Sequence, residues 1–308
     1  MQALLPYLRL CRLAAVFTAL ADILLGFVLT HAGFSPGSTL GWLLISSAGL
    51  YLAGMVFNDV FDREQDARDR PGRPIPSGQV SCQHAVWFGT VLLLVGGAAA
   101  CLAGLPSALV AGMLIANIFL YNGFLKSTPL GPLAMGGCRF LNVMLGASAA
   151  IDPTDGRSTL QAVWMLPQTH VAAALGTYIT GVTWFAQREE GTSNRWHLAG
   201  AMGVVNLGLV LLAGFVLHWP TGDETAARSW NSALLLGALG VIINRRLANA
   251  LFDPRPQTVQ QGVRLLLMSL VLLDATIVFF VTGRQEPALG VALLLIPALL
   301  LSRVLAVT

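Results

Sequence analysis

The sequence predicts an all-α protein, a polytopic membrane bundle of nine to ten transmembrane helices forming a single domain over residues 1–308. Three observations predict it. The chain is 55% hydrophobic and only 11% charged, whereas soluble domains run at about 25% charged. Apolar runs of roughly 20 residues, the length that crosses a bilayer, recur along the whole chain. The basic residues also segregate to one side once the runs are threaded back and forth.

The runs define ten candidate helices, at about 11–31, 40–61, 84–104, 107–124, 132–150, 162–187, 196–218, 229–251, 262–282 and 287–304. The first is too long for a signal-peptide core and lacks a convincing cleavage site, so no secretory signal is expected. The second runs directly into a dense charged segment. The fourth is short and ends in the Gly/Pro-rich loop Asn122-Gly123-Phe124-Leu125-Lys126-Ser127-Thr128-Pro129-Leu130-Gly131-Pro132, a composition that punctuates helices. No low-complexity segment or soluble domain interrupts the series. The four cysteines, Cys11, Cys82, Cys101 and Cys138, have no metal-ligand spacing and read as packed, unreactive thiols.

With the N-terminus in the cytoplasm, the inner face carries Arg9, Arg12, Arg63, Arg68, Arg70, Arg73, Lys126, Arg139, Arg188, Arg195, Arg245, Arg246, Arg255, Arg264 and Arg303. The outer face carries Arg157, Arg228 and Arg284. This asymmetry sets the orientation and favours an even number of spans. Four loops, at 62–83, 125–131, 188–195 and 252–261, then share the cytoplasmic side, where an active site is expected. Charge concentrated on one face argues against a channel, in which it would line a path.

The segment Asn58 to Gly78 is the most informative. It contains four aspartates, one glutamate and four arginines. Asp59, Asp62, Asp66 and Asp69 are spaced 3, 4 and 3, which stacks them along one helical face with Asn58 beside them. Such a row repels itself, and a helix C-terminus disfavours anions further. Bound cations would offset both costs. Oxygen-only donors without His or Cys point to Mg²⁺, which takes one or two carboxylates and completes its shell with phosphate oxygens and water. The alternative is a solvated helix end with internal Asp–Arg pairs. Arg73-Pro74-Ile75-Pro76-Ser77-Gly78 follows, with two prolines fixing the backbone and Ser77-Gly78 placed to begin the next span.

Asn58-Asp59-x-x-Asp62-x-x-x-Asp66 followed by Arg73-Pro74-Ile75-Pro76-Ser77-Gly78 resembles the first aspartate-rich motif of the UbiA superfamily of intramembrane prenyltransferases. Tyr121 to Lys126 resembles the loop after that family's fourth helix, and Arg139, Asn142 and Gly146 fall where its fifth begins. The resemblance implies helices around a central cavity, Mg²⁺ as cofactor, and transfer of a prenyl group from a polyprenyl diphosphate to an aromatic or other lipophilic acceptor. It implies Asp59, Asp62, Asp66 and Lys126 as catalytic residues, and Asn58, Asp59, Asp62, Asp66 and Glu189 as metal ligands. Asn58, Arg68, Arg73, Tyr121, Arg139, Asn142, Tyr178 and Arg188 are the expected substrate contacts. The expected partners are polyprenyl diphosphate, the acceptor and membrane lipids, and not nucleic acid. The expected location is a bacterial cytoplasmic (inner) membrane.

The family's second aspartate-rich motif has no counterpart. At its place stands Tyr178-Ile179-Thr180-Gly181-Val182-Thr183-Trp184-Phe185-Ala186-Gln187-Arg188-Glu189-Glu190-Gly191, without an aspartate. Three alternatives stand open: Glu189 or Glu190 holds a second Mg²⁺, the site contacts phosphate directly through Arg188 or binds a different ligand, or the helix end is merely solvated. The string from Thr183 to Glu189 is similar to the EboC branch of the superfamily, linked to handling or export of secondary metabolites. A non-catalytic prenyl-lipid or metabolite binder is therefore the rival expectation.

Among the remaining residues, Lys126 and Arg139 flank a cytoplasmic turn and suit capping a diphosphate, or simply set topology. Arg68, Arg70 and Arg73 suit pairing with the aspartates, anionic headgroups or substrate. Asp22 and Asp274, inside apolar helices, are expected to face the bundle interior, lining the cavity or paired structurally. Asn117, Asn142 and Tyr178 suit an acceptor oxygen or bonds between helices. His170 reads as a satisfied interior histidine, and Asp253-Pro254-Arg255-Pro256 as a rigid turn.

Overall fold

The computed structural model describes residues 4–150, 164, 167–187, 194–219 and 226–304, and among them every regular element is helical. A short helix α1 (Leu5–Leu10) precedes the first span. Arg12, with φ 47°, breaks the chain before a 3₁₀ turn (Leu13–Ala15) leads into α2 (Val16–His31). Then come α3 (Gly37–Phe61), α4 (Arg63–Asp69), α5 (Cys82–Ala103) and α6 (Leu105–Leu120). They are followed by α7 (Gly131–Ala147), α8 (Gln168–Ala186) and α9 (Arg195–His218). The chain closes with α10 (Ala226–Phe252), α11 (Pro256–Thr282), α12 (Gln285–Ala292) and α13 (Leu295–Val304).

Eight stretches among the described residues are long and apolar enough to span a bilayer, α12 and α13 counting as one. The chain is an integral membrane protein. Leu94, Leu102, Leu105, Val210, Leu234 and Val241 point outward from these stretches, as lipid-facing side chains must. α7 and α8 carry more polar residues and sit deeper in the bundle. α2 packs against α3, α7 and α11, so the two ends of the chain meet along it. Glycine permits the closest of these contacts. A Cβ on Gly26 would lie 2.2 Å from the carbonyl oxygen of Val143, and one on Gly146 would lie 2.6 Å from that of Ile23. α2 and α7 therefore touch backbone to backbone, as small residues allow between membrane helices.

Four details differ from expectation. The acidic segment is not one continuous helix, because the chain turns at Asp62 between α3 and α4. The span after it begins at Ser81, whose side chain accepts from the His84 N–H at 3.2 Å. Ser77-Gly78 belongs instead to the preceding turn: Ser77 Oγ donates to the Arg73 carbonyl at 2.7 Å, and Gly78 takes a positive φ of 75°. The last span is broken at 293–294, where Pro297 lacks an N–H and its ring opposes the carbonyl four residues back. The expected start of the 162–187 span lies outside the described residues.

Candidate active site

The site forms at the basic end of the bundle, where α3, α4, the 70–81 turn and the end of α6 converge. Asn58 and Asp59 occupy the last turn of α3 and are buried. Asp62 sits at the break, and the turn there swings Asp66 of α4 inward so that it too is buried. Asp69 stays exposed. Three of the four aspartates thus face the interior, although the helix carrying them is bent.

Each inward carboxylate meets a cation from elsewhere. Arg73 Nη1 donates to Asp66 Oδ2 at 2.6 Å and to Asp59 Oδ1 at 3.4 Å. Arg12 Nη2 donates to Asp59 Oδ1 at 3.4 Å and to Asn58 Oδ1 at 3.5 Å. Lys126 pairs with Asp62. Lys126 is delivered by a π-helical turn, Tyr121–Leu125, in which its N–H reaches the Tyr121 carbonyl at 2.9 Å. Such wide turns recur at functional sites. The same turn presents Asn122, whose Oδ1 accepts from Asn58 Nδ2 at 2.8 Å. Next to this cluster, burial and then the Asp59 charge push the Cys11 thiol up to about 12.

A cavity of about 790 Å³ opens at the cluster. Asn58, Asp62, Asp66, Arg73, Tyr121 and Lys126 give it a polar wall, while Met55, Met135 and Ala186 line it with apolar surface. Among the described residues, no three His, Cys, Asp or Glu side chains converge as a protein-only metal cage. The donor set nevertheless fits Mg²⁺ shared with a phosphate ligand, which needs only one or two carboxylates per ion. Asn58, Asp62 and Asp66 supply oxygens on one wall.

Other expected contacts sit elsewhere. Arg139 is not at the rim: it pairs with Asp22 inside the bundle and donates to the Thr18 carbonyl at 3.0 Å and Thr18 Oγ1 at 3.2 Å. Asn142 joins it there, donating to Asp22 Oδ2 at 2.9 Å and accepting from Ser47 Oγ at 2.7 Å. Two polar side chains in apolar helices satisfy each other more cheaply than they would face lipid. Tyr178 is fully buried, its hydroxyl donating to the Leu266 carbonyl at 3.0 Å, so it ties α8 to α11 and does not contact the cavity. Arg68 is exposed, donates to the Glu64 carbonyl at 3.3 Å and is not part of the cavity wall. Arg188, Glu189 and Glu190 lie outside the described residues, although Gln187 lines the cavity. His170 is satisfied by the Leu211 carbonyl at 3.0 Å, and Asn117 donates to the Ala134 carbonyl at 2.8 Å. Arg12 and Asn122 are the site residues that sequence reasoning did not single out.

Fold and site together define a class: an intramembrane helical bundle with an acid-and-arginine cluster at the mouth of a partly apolar cavity. The sequence profile of the UbiA prenyltransferase family matches residues 19–221, and the chain belongs to that family. The digeranylgeranylglyceryl phosphate synthase of Methanospirillum hungatei is 39% identical over 129 residues, 40% of this chain and 44% of that protein. The synthase of the same name from Methanopyrus kandleri is 30% identical over 159 residues, 52% of this chain and 56% of that protein. The chain thus spans roughly half the length of these relatives. Among solved structures, the apo UbiA homologue of Aeropyrum pernix superposes with a TM-score of 0.67 at 20% identity, over 85% of this chain and 96% of that one. The Archaeoglobus fulgidus UbiA homologue bound to GPP and Mg²⁺ gives 0.63 at 15% identity, over 93% and 99%. At such identities the likeness is one of fold.

Proposed function

We propose that this protein is a membrane prenyltransferase, a single unit over 1–308, that moves a prenyl group from a polyprenyl diphosphate to a lipophilic acceptor. The observation that carries this is the balanced cluster at the cavity mouth, with Asp59, Asp62 and Asp66 facing Arg12, Arg73 and Lys126. Three negative and three positive charges leave no surplus to receive a diphosphate. A divalent cation supplies it, which supports Mg²⁺ as cofactor, and the Archaeoglobus homologue's GPP and Mg²⁺ agree with this.

Asn58, Asp62 and Asp66 would hold the metal, with Asp59 anchoring the cations around it. When bound, Mg²⁺ offsets charge on the departing diphosphate. Lys126 and Arg73 swing from carboxylate to phosphate oxygens and donate charge-assisted hydrogen bonds there, Arg73 through two parallel N–H groups. Tyr121, Met55 and Met135 line the cavity and would keep water from the reacting carbon of a bound prenyl group. Arg188 and Glu189, next in sequence to the cavity-lining Gln187, are carried forward as candidates to contact phosphate or a second ion. The fifteen-to-three basic asymmetry supports a cytoplasmic membrane with this mouth facing the cytoplasm. A bacterial membrane is the reading that the EboC-like string supports, while the relatives named above are archaeal.

One observation favours the rival, a diverged binder: the stretch from Tyr178 to Gly191, where the family's second acidic motif would stand, holds no aspartate. Pyrophosphate release by purified protein, with and without Mg²⁺ and across a panel of acceptors, separates the two. Turnover lost in Asp62→Ala but kept in Leu234→Ala supports catalysis. Tight diphosphate binding with no release for any acceptor overturns it.

A further inference from the structure

Thr183, Ala186 and Gln187 form α8's share of the cavity wall, spaced as neighbours along one helical face. None of them carries a charge, so no ion pair can tie this wall to the aspartates and cations opposite. Trp184 lies among them in sequence but turns to the other side of α8, toward α9. There both ring nitrogens of His197 meet this one residue. The Trp184 indole Nε1 donates to His197 Nδ1 at 3.2 Å, and His197 Nε2 lies 2.9 Å from the Trp184 carbonyl oxygen. An indole N–H only donates and a carbonyl only accepts, so Nε2 carries the proton and Nδ1 is the acceptor. The two rings stand edge to face, with centroids 5.8 Å apart and planes at 85°.

The carbonyl belongs to the last turn of α8, where a helix leaves its final four acceptors without regular partners. The Gln187 N–H reaches it at 3.3 Å. His197 comes closer and caps it from outside the helix, as side chains near a C-terminus can. The anchor is itself fixed. His197 is the third residue of α9, and Asn194 Oδ1 caps that first turn by accepting from the Trp196 N–H at 2.9 Å. Arg195 Nη2 ties the same turn to α10 through the Phe252 carbonyl at 3.3 Å. One turn on, Gly200 makes room for the indole: a Cβ there would lie 3.0 Å from the ring carbon Cη2.

We infer that His197 is a positioning residue for the prenyl transfer proposed above, on which this inference rests. By gripping Trp184 at both its ring and its carbonyl, it sets where the last turn of α8 stands against the polar end of the cavity. His197 does not line the cavity, so it acts through α8 and not on a ligand. The tryptophan in the string from Thr183 to Glu189 is thereby given a physical task.

A matched control exists in the same two helices. His170 Nε2 donates to the Leu211 carbonyl at 3.0 Å, also joining α8 to α9. It lies about 21 Å further along α8, at 1.5 Å per residue. His197→Ala and His170→Ala are compared in purified full-length protein, and both should lower the unfolding temperature by similar amounts. Only His197→Ala should cut kcat/KM for geranyl diphosphate in pyrophosphate release, by about tenfold to a hundredfold. His197→Gln, whose amide can still donate to the carbonyl, should recover most of that loss. Trp184→Phe keeps a ring against Gly200 but loses the indole N–H. It should give an intermediate loss, and add little on top of His197→Ala. A further readout needs no turnover: a spin label on Gln187→Cys, with the four native cysteines replaced by alanine. The label should gain mobility in His197→Ala and stay unchanged in His170→Ala. Equal losses of kcat/KM in the two alanine variants would overturn the inference, as would a label that His197→Ala leaves unmoved. No pyrophosphate release by the wild type would sink the prenyl-transfer function instead, and the label would still decide whether His197 fixes the end of α8.

Discussion

Arg73 joins Asp59 to Asp66 across the bend at Asp62, through a single guanidinium nitrogen 3.4 Å from one carboxylate and 2.6 Å from the other. The bend turns Asp66 inward, and Arg73 holds it there. All three side chains are largely removed from water. Removing Arg73 therefore leaves two carboxylates crowded and desolvated. Arg73→Ala is expected to destabilise the protein by up to about 3 kcal/mol, toward the low end for breaking a buried pair because the rim is partly wet. Arg73→Lys keeps the charge but loses the fork, and should recover much of the stability with little of the activity. Thermal unfolding in detergent and pyrophosphate release, measured on both variants, check this. Equal activity in Arg73→Lys and wild type would show that the fork is dispensable.

Chelation of divalent ions should abolish turnover, and restoring Mg²⁺ should recover it. Asp62→Asn keeps the shape of the side chain and removes its charge. It should lower turnover by roughly a hundredfold or more and raise the Mg²⁺ concentration needed for half-maximal rate. If turnover persists in excess chelator, the protein cations alone receive the diphosphate.

The sequence shows the acidic cluster because its members are local: Asn58, Asp59, Asp62 and Asp66 lie within nine positions. Lys126 is legible because the Gly/Pro-rich turn around it marks a loop on the same face. Arg12 is not, because its link to Asp59 spans 47 positions and depends on a left-handed break before α2. Asn122 is hidden in the same way by a π-turn that no simple periodicity encodes. Tyr178 misleads because a tyrosine facing a neighbouring helix has the same sequence signature as one facing a cavity. Arg139 was legible only as a cation near a turn. Its true partner, Asp22, becomes a neighbour because Gly26 and Gly146 bring α2 and α7 together. Two opposite charges within apolar helices were the available sign that they pair.

Cys11 provides a chemical probe of packing at the rim. Burial and the nearby Asp59 carboxylate push its thiol from 9.0 up to about 12. A group whose folded pKa is raised above its unfolded value stabilises the fold fully below the unfolded value and loses that contribution as pH climbs through the folded one. Cys11 should thus leave stability unchanged near neutral pH and weaken the fold only between about pH 9 and 12. Maleimide labelling of a variant retaining Cys11 alone should be slow at about pH 7 until the protein unfolds, since the thiolate is the reactive form. Rapid labelling of folded protein would mean that the rim opens to water around α1.

The last prediction concerns Asp274. It lies in α11, fully buried beside Asp22, and among the described residues neither of its carboxyl oxygens meets a donor other than that neighbouring carboxyl. Asp22 is served by Arg139 and Asn142 through one oxygen, while its other oxygen is unmatched. One guanidinium can neutralise one of these two carboxyls, so the pair holds a surplus acid inside the bundle. Asp274→Asn removes that surplus and brings N–H donors toward the unmatched Asp22 oxygen. It should leave thermal stability equal to wild type or raise it. Asp22→Asn removes the carboxyl that Arg139 touches and leaves it partly stranded, with only the more distant Asp274 as counter-charge, and should cost about 3 kcal/mol. The double variant Asp22→Asn with Arg139→Gln should recover part of that loss, because the stranded charge is gone. Unfolding curves on the set decide it. If Asp274→Asn proves as damaging as Asp22→Asn, the two carboxyls are equal partners of Arg139 and the asymmetry seen between them is not energetic.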